Sequence, residues 1–215
     1  MTPPLKNPFA VALFAAVLLA GPAAAQDQKY RNRDNPNLND AAEGVYPIPY
    51  QMPTKAEIVE SLNRVRSFLE VTALTEVVDR RTGQPITDMA NPVATAAFKT
   101  GPKLFGPVGY EMGVVHAGML HVGRVTGDAR FTAFTERHMN FIHQWLPYFR
   151  KAETAFKLDR ANPFRTALDP RALDDSGSMA AALIRARLAK VGPDLKSQID
   201  VWTDWVGNKQ FRFPD

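Results

Sequence analysis

The first apolar block of the chain runs from Phe9 to Ala20, behind Lys6 and ahead of the small-residue segment Gly21 to Ala25. That layout predicts a secretory signal peptide over residues 1–25, with Ala23 and Ala25 supplying the small residues before the cut. The block is shorter than the roughly 20 apolar residues of a permanent membrane helix. The expected product is therefore periplasmic or secreted, starts near Gln26 and has no membrane contact once the leader is removed. From Gln26 to Met52 the pattern turns to Asn, Asp, Arg and Pro, and Asn35-Pro36, Pro47 and Pro49 block regular structure. Residues 26–52 read as an extended lead segment.

Helical periodicity begins at Thr54. Thr54 and Glu57 form a T-x-x-E capping box, and Ile58, Leu62, Val65 and Leu69 follow at helical spacing, which predicts a helix to about Val78. A turn-rich stretch comes next, from Thr82-Gly83-Gln84-Pro85 through Asn91-Pro92 to Gly106-Pro107. Val108 to Arg124 then reads as a helix rich in small residues, including Gly109, Gly113, Ala117, Gly118 and Gly123. Each interior glycine costs roughly 1 kcal/mol against alanine, so their number points to helices in close backbone approach. Thr126-Gly127-Asp128 makes a tight turn into a second helix, Ala129 to Phe149, whose apolar face carries Phe131, Phe134, His138, Phe141, Ile142 and Trp145. Together these two make a helical hairpin. The same plan returns where Asp174 or Asp175 caps a small-residue helix, Met179 to Lys190, and Val191-Gly192-Pro193-Asp194 turns the chain into another helix. Trp202 and Trp205 on that last helix read as packing for a further hairpin. No period-two strand pattern competes, so residues 53–215 are expected to be all-α, with a leading helix and two hairpins.

Composition narrows the chemistry. With no cysteine, the chain has no disulfide, no thiolate metal site and no cysteine nucleophile. The net charge of +4 comes from dispersed basic residues, so nucleic-acid binding is not expected, although acidic substrates are tolerated. His116 and His121 are five apart, as are His138 and His143, so neither pair shares a helix face at the i, i+4 spacing of a metal pair. They read as half-buried histidines, and no metal or cofactor is expected.

The segment Gly109-Tyr110-Glu111-Met112-Gly113-Val114-Val115-His116-Ala117-Gly118-Met119-Leu120, followed by Val125-Thr126-Gly127-Asp128-Ala129-Arg130-Phe131, resembles a motif of glycoside hydrolase families 88 and 105. These are the unsaturated glucuronyl and rhamnogalacturonyl hydrolases. Leu173-Asp174-Asp175-Ser176-Gly177-Ser178-Met179 is similar to their D-x-G element at the start of a later inner helix. The resemblance covers roughly Thr54 to Asp215. It implies an (α/α)6 six-hairpin toroid, here incomplete, with its cleft where the inner helices begin. It also implies a partner, an unsaturated uronic-acid oligosaccharide cut from pectin or a glycosaminoglycan, whose C4=C5 double bond is hydrated so that the hemiketal opens and the glycosidic link breaks. The "YE" and "TGD" spelling leans to the rhamnogalacturonyl side.

The residues admit more than one role. Protonating an enol ether at neutral pH asks for a carboxylic acid with a raised pKa, which burial beside a second carboxylate provides. Asp174 and Asp175 are the adjacent acid pair at a helix start. The resemblance places Asp175 in the cleft and leaves Asp174 as cap, while capping alone would account for either. Tyr110 and Glu111 are candidate sugar contacts, or a core residue and a first-turn acid. Arg165 and Arg171, in the loop before Asp174, are candidates to clamp a uronate carboxylate through paired N–H bonds, or are simply solvated. In the resembling enzymes a second aspartate, one hairpin further on, donates the proton. No residue here answers to it, so the sequence is expected to be inactive alone, as part of a longer enzyme in preference to a natural truncation. The alternatives are a non-catalytic helical carbohydrate-binding protein and a structural helical repeat.

Overall fold

The structure is a computed structural model that describes residues 52–100 and 105–212. The leader over residues 1–25 and, Met52 apart, the lead segment over residues 26–52 lie outside the described residues. Thr54–Asp215 forms one compact unit, and its described residues are all-α apart from one two-stranded sheet.

The leading helix α1 spans Lys55–Thr72 and opens on the capping box read from the sequence, with Thr54 and Glu57 capping each other's backbone. Its inward face is only in part the one that the apolar spacing predicts, since Leu62 and Leu69 pack on the core and Ile58 and Val65 do not. Ile58 and Val65 are 47% and 53% exposed, whereas Leu69 is buried, and Arg66 lays its guanidinium over the Phe131 ring at 5.8 Å while bonding Glu70 at 2.6 Å. An arginine stem covers apolar surface as an aliphatic residue does. The helix also stops at Thr72, short of Val78. Val77–Asp79 forms strand β1, paired antiparallel with β2, Ala96–Phe98, and Val77 and Ala96 are buried. Local spacing favours helix here, but a partner strand and a core site override it. The absence of strands expected from the period-two test is thus corrected by one short pair.

Helix α2, Tyr110–Thr126, and helix α3, Ala129–Phe156, form the first hairpin. Gly127 closes α2 at φ 73°, a left-handed C-cap, and the Asp128 side chain accepts from the Arg130 N–H to start α3. The whole apolar face predicted for α3 is buried. The helix holds Pro147 in its interior and outruns its expected end at Phe149, reaching Phe156. Burial of Tyr148, Phe149 and Ala152 beyond the proline offsets the lost helical hydrogen bond.

After a 3-10 turn, Asp159–Ala161, and a short helix α4, Arg165–Leu168, the second hairpin comprises α5, Leu173–Leu188, and α6, Lys196–Asp204. Phe164 anchors the intervening loop in an aromatic cluster with Phe98, Phe141 and Phe149. Gln198 and Trp202 of α6 donate to the Ala167 and Thr166 carbonyls. Trp202 is therefore core within this unit, and Trp205 is half-buried. The most extensive helix contact is α2 on α5. Five of the six buried positions on each helix recur at the same spacing, Gly113, His116, Met119, Leu120 and Gly123 on α2 and Ser176, Met179, Ala182, Leu183 and Ala186 on α5. Gly113 makes the contact close, because a Cβ there would lie 2.6 Å from the Ser178 backbone carbon.

Candidate carboxylate site

Close packing of α2 on α5 brings the starts of both helices together. The Tyr110 N–H, first in α2, donates to Asp175 Oδ1 at 3.0 Å, and Ser178 Oγ donates to the Tyr110 carbonyl at 2.8 Å. Four of the six residues singled out from the sequence thus meet at one place: Tyr110 and Glu111 from α2, Asp174 and Asp175 from α5.

The capping roles differ from those expected. The N-cap of α5 is Ala172, in extended backbone with no side-chain cap bond, and both aspartates lie in the first helical turn. Asp174 is not the cap, and its Oδ1 accepts from the Asp175 N–H at 3.0 Å. Asp175 does cap a helix, but that helix is α2. The α2 N-cap is Gly109, which has no side chain to offer, so the first free N–H takes a carboxylate from the neighbouring helix. Sequence spacing cannot show a cap supplied from 65 residues away.

Charge at this end is negative. The nearby Glu111 carboxylate, which accepts the Tyr110 hydroxyl, raises the tyrosine's pKa, with smaller contributions from Asp174 and Asp175. Among the described residues none of the three carboxylates has an ion-pair partner, since Arg165 faces Asp159 at 3.7 Å and Arg171 is bound to Asp169 at 2.7 Å. The two arginines are therefore spoken for in their own loop instead of clamping this end. Asp174 is exposed and Asp175 half-buried, so neither has the deep burial that the acid chemistry asks for. No group of three or more His, Asp or Glu side chains is placed to hold a metal ion among the described residues.

The sequence reading missed a buried histidine pair. His116 of α2 and His138 of α3 are both 0% exposed, with ring centroids 5.1 Å apart, whereas His121 and His143 are exposed. Spacing within one helix cannot reveal a pair made between two. His138 places Nδ1 2.9 Å from the Phe134 carbonyl and Nε2 3.1 Å from the Ala73 carbonyl, which ties α3 to the end of α1. Both ring nitrogens of His116 lack a hydrogen-bond partner among the described residues. Burial, reinforced by the neighbouring His138, pushes the His116 pKa down to about 3. Burial also lowers that of His138, helped by the positive charge of Arg137 and opposed by the two carbonyls.

A scan against protein-family models and a search of curated proteins found no match to this chain.

Proposed function

We propose that the paired starts of α2 and α5 form part of the sugar-binding cleft of an unsaturated uronyl hydrolase related to glycoside hydrolase families 88 and 105, within an (α/α)6 toroid. The observation that carries this reading is the meeting of Tyr110, Glu111, Asp174 and Asp175 at the end of two helices that start side by side. It is also the end where the sequence resemblance sets the cleft. The exposed residues Tyr110, Val114 and Val125 of α2, with Leu173, Ile184 and Leu188 of α5, agree with inner helices whose free sides line a ring.

In this reading Asp175 presents its remaining oxygen to the substrate while its Oδ1 stays on the Tyr110 N–H. Tyr110, 46% exposed, offers a ring face to the sugar. Hydration adds a proton to C4 and a water hydroxyl to C5, and the hemiketal then opens and releases the aglycone. Asp175 orients the water, and the proton comes from a donor with no counterpart in this sequence. Three unpaired carboxylates repel a uronate carboxylate, so in this reading that group points away from them and the sugar hydroxyls face Asp175.

Calorimetric titration with an unsaturated uronyl disaccharide tests the reading. Asp175→Asn keeps the shape and the hydrogen-bond acceptor, so helicity is expected to persist while binding weakens by about tenfold, the scale of one charged hydrogen bond. Asp174→Asn is expected to change binding less. Equal binding by parent and Asp175→Asn would remove Asp175 from the cleft. The ultraviolet absorbance of the C4=C5 bond is expected to survive incubation with this chain alone. Its loss would place a proton donor among these residues.

A further inference from the structure

Apart from the helix starts, the β1–β2 pair and the 3-10 turn border a groove of about 640 Å³ whose walls include Val78, Arg80, Ala97, Lys99, Arg160 and Pro163. Its volume lies within the range of small-molecule sites, roughly 300–1,000 Å³. Strand register explains the lining. Val78 pairs with Ala97, and the Arg80 N–H bonds the Thr95 carbonyl, so Val78 and Arg80 point to one face of the sheet. Val77 turns the other way into the core, and Phe98, its partner across the strands, packs against that core and also borders the groove.

Three cations border this apolar floor, and two of them have no counter-charge among the described residues. Lys99 is paired with Glu76 at 2.8 Å across the strands. Arg80 has one long contact, Nη2 to the Ala161 carbonyl at 3.4 Å, which sets its guanidinium beside the turn that carries Arg160. Arg160 has no side-chain partner among the described residues. The one acid in the lining, Asp79, spends Oδ1 on the Arg81 and Thr82 N–H groups of its own turn, at 2.7 and 3.3 Å. Neither arginine has an evident structural task. Arg124 and Arg185, which border a second groove, instead occupy the last turns of α2 and α5, where cations complement the helix ends.

We infer that this groove is a binding site for a small oxyanion-bearing molecule, in which the Arg80 and Arg160 guanidiniums hold a carboxylate or phosphate and Val78, Ala97 and Pro163 receive an apolar face of its body. Guanidinium forks match both anions through two parallel N–H bonds. The inference is independent of the carboxylate site, since it shares no residue with it.

Two-dimensional amide NMR titration of the whole chain with inorganic phosphate, galacturonate and galactose tests it. Saturable shifts at Arg80, Lys99 and Arg160 with either anion are expected, and the anion that binds identifies the oxyanion. Galactose should leave them unmoved. Arg160→Gln, an exposed change that leaves the fold alone, should weaken binding by about tenfold, and Arg80→Lys by a similar factor through loss of the fork. Asp175→Asn should bind the anion as the parent does, which separates this site from the proposed cleft. The inference fails if no anion gives saturable shifts, if galactose binds as well as galacturonate, or if the arginine variants titrate like the parent.

Discussion

At the scale of single residues, His116 is the most unusual side chain: fully buried, unpartnered at both ring nitrogens and packed on a second histidine. A buried polar group without a hydrogen bond costs roughly 1–3 kcal/mol, and its charged form costs more. The folded state therefore keeps both imidazoles neutral, while the unfolded chain takes up protons below about pH 6.5. Since both folded pKa values are lowered, the stability due to neutral burial is whole above the unfolded value and is lost as the pH falls from there toward the folded value, about 3 for His116. Each suppressed proton contributes a slope of roughly 1.4 kcal/mol per pH unit. Methionine is apolar, unbranched and adaptable, which suits it to replace His116 at this buried position. His116→Met is expected to raise the melting temperature and to flatten its fall between about pH 6.5 and 5. Asp128, held near 2 by its hydrogen bonds to Arg130, keeps its charge through that range. Thermal melts across the interval check this, and a variant as acid-sensitive as the parent would show that His116 does not carry the effect.

At the scale of elements, what was legible followed from local chemistry. The capping box at Thr54, the Gly127-Asp128 turn and the apolar face of α3 are short-range patterns, and the structure bears them out. What was not legible depended on partners distant in sequence. The strand at Val77 needs β2, the buried face of α1 needs Phe131 beneath Arg66, and the α2 cap needs Asp175. The glycines of α2 lie between these cases: their number signals close approach, but only the structure says which one is in contact. A Cβ at Gly113 meets the Ser178 backbone, which cannot rotate away, whereas one at Gly118 meets nothing within 4 Å. Gly113→Ala should therefore destabilise the fold by roughly 2–3 kcal/mol through overpacking. Gly118→Ala should stabilise it by about 0.5–1 kcal/mol, the helical preference of alanine. Denaturant unfolding of the two variants checks the pair. Equal effects would mean that α2 does not approach α5 this closely.

At the scale of the whole molecule, the α2–α5 contact builds the fold and the candidate site at once. The pairing that buries His116, Met119 and Leu183 also carries Tyr110 to Asp175. Of the six residues read from the sequence as a site, the four at helix starts converge, because parallel packing of the two helices at a common level leaves them no other place. The two arginines do not, because each meets an aspartate of its own loop first, Arg165 with Asp159 and Arg171 with Asp169. The central claim is that the shared start of α2 and α5 binds the non-reducing end of an unsaturated uronide. Amide NMR mapping of the chain during titration with an unsaturated uronyl disaccharide tests it most directly. The account predicts saturable shifts concentrated at Tyr110, Glu111, Asp174 and Asp175, weakened by about tenfold in Asp175→Asn. Shifts that leave these four residues unmoved, or that persist unchanged in the variant, would contradict it.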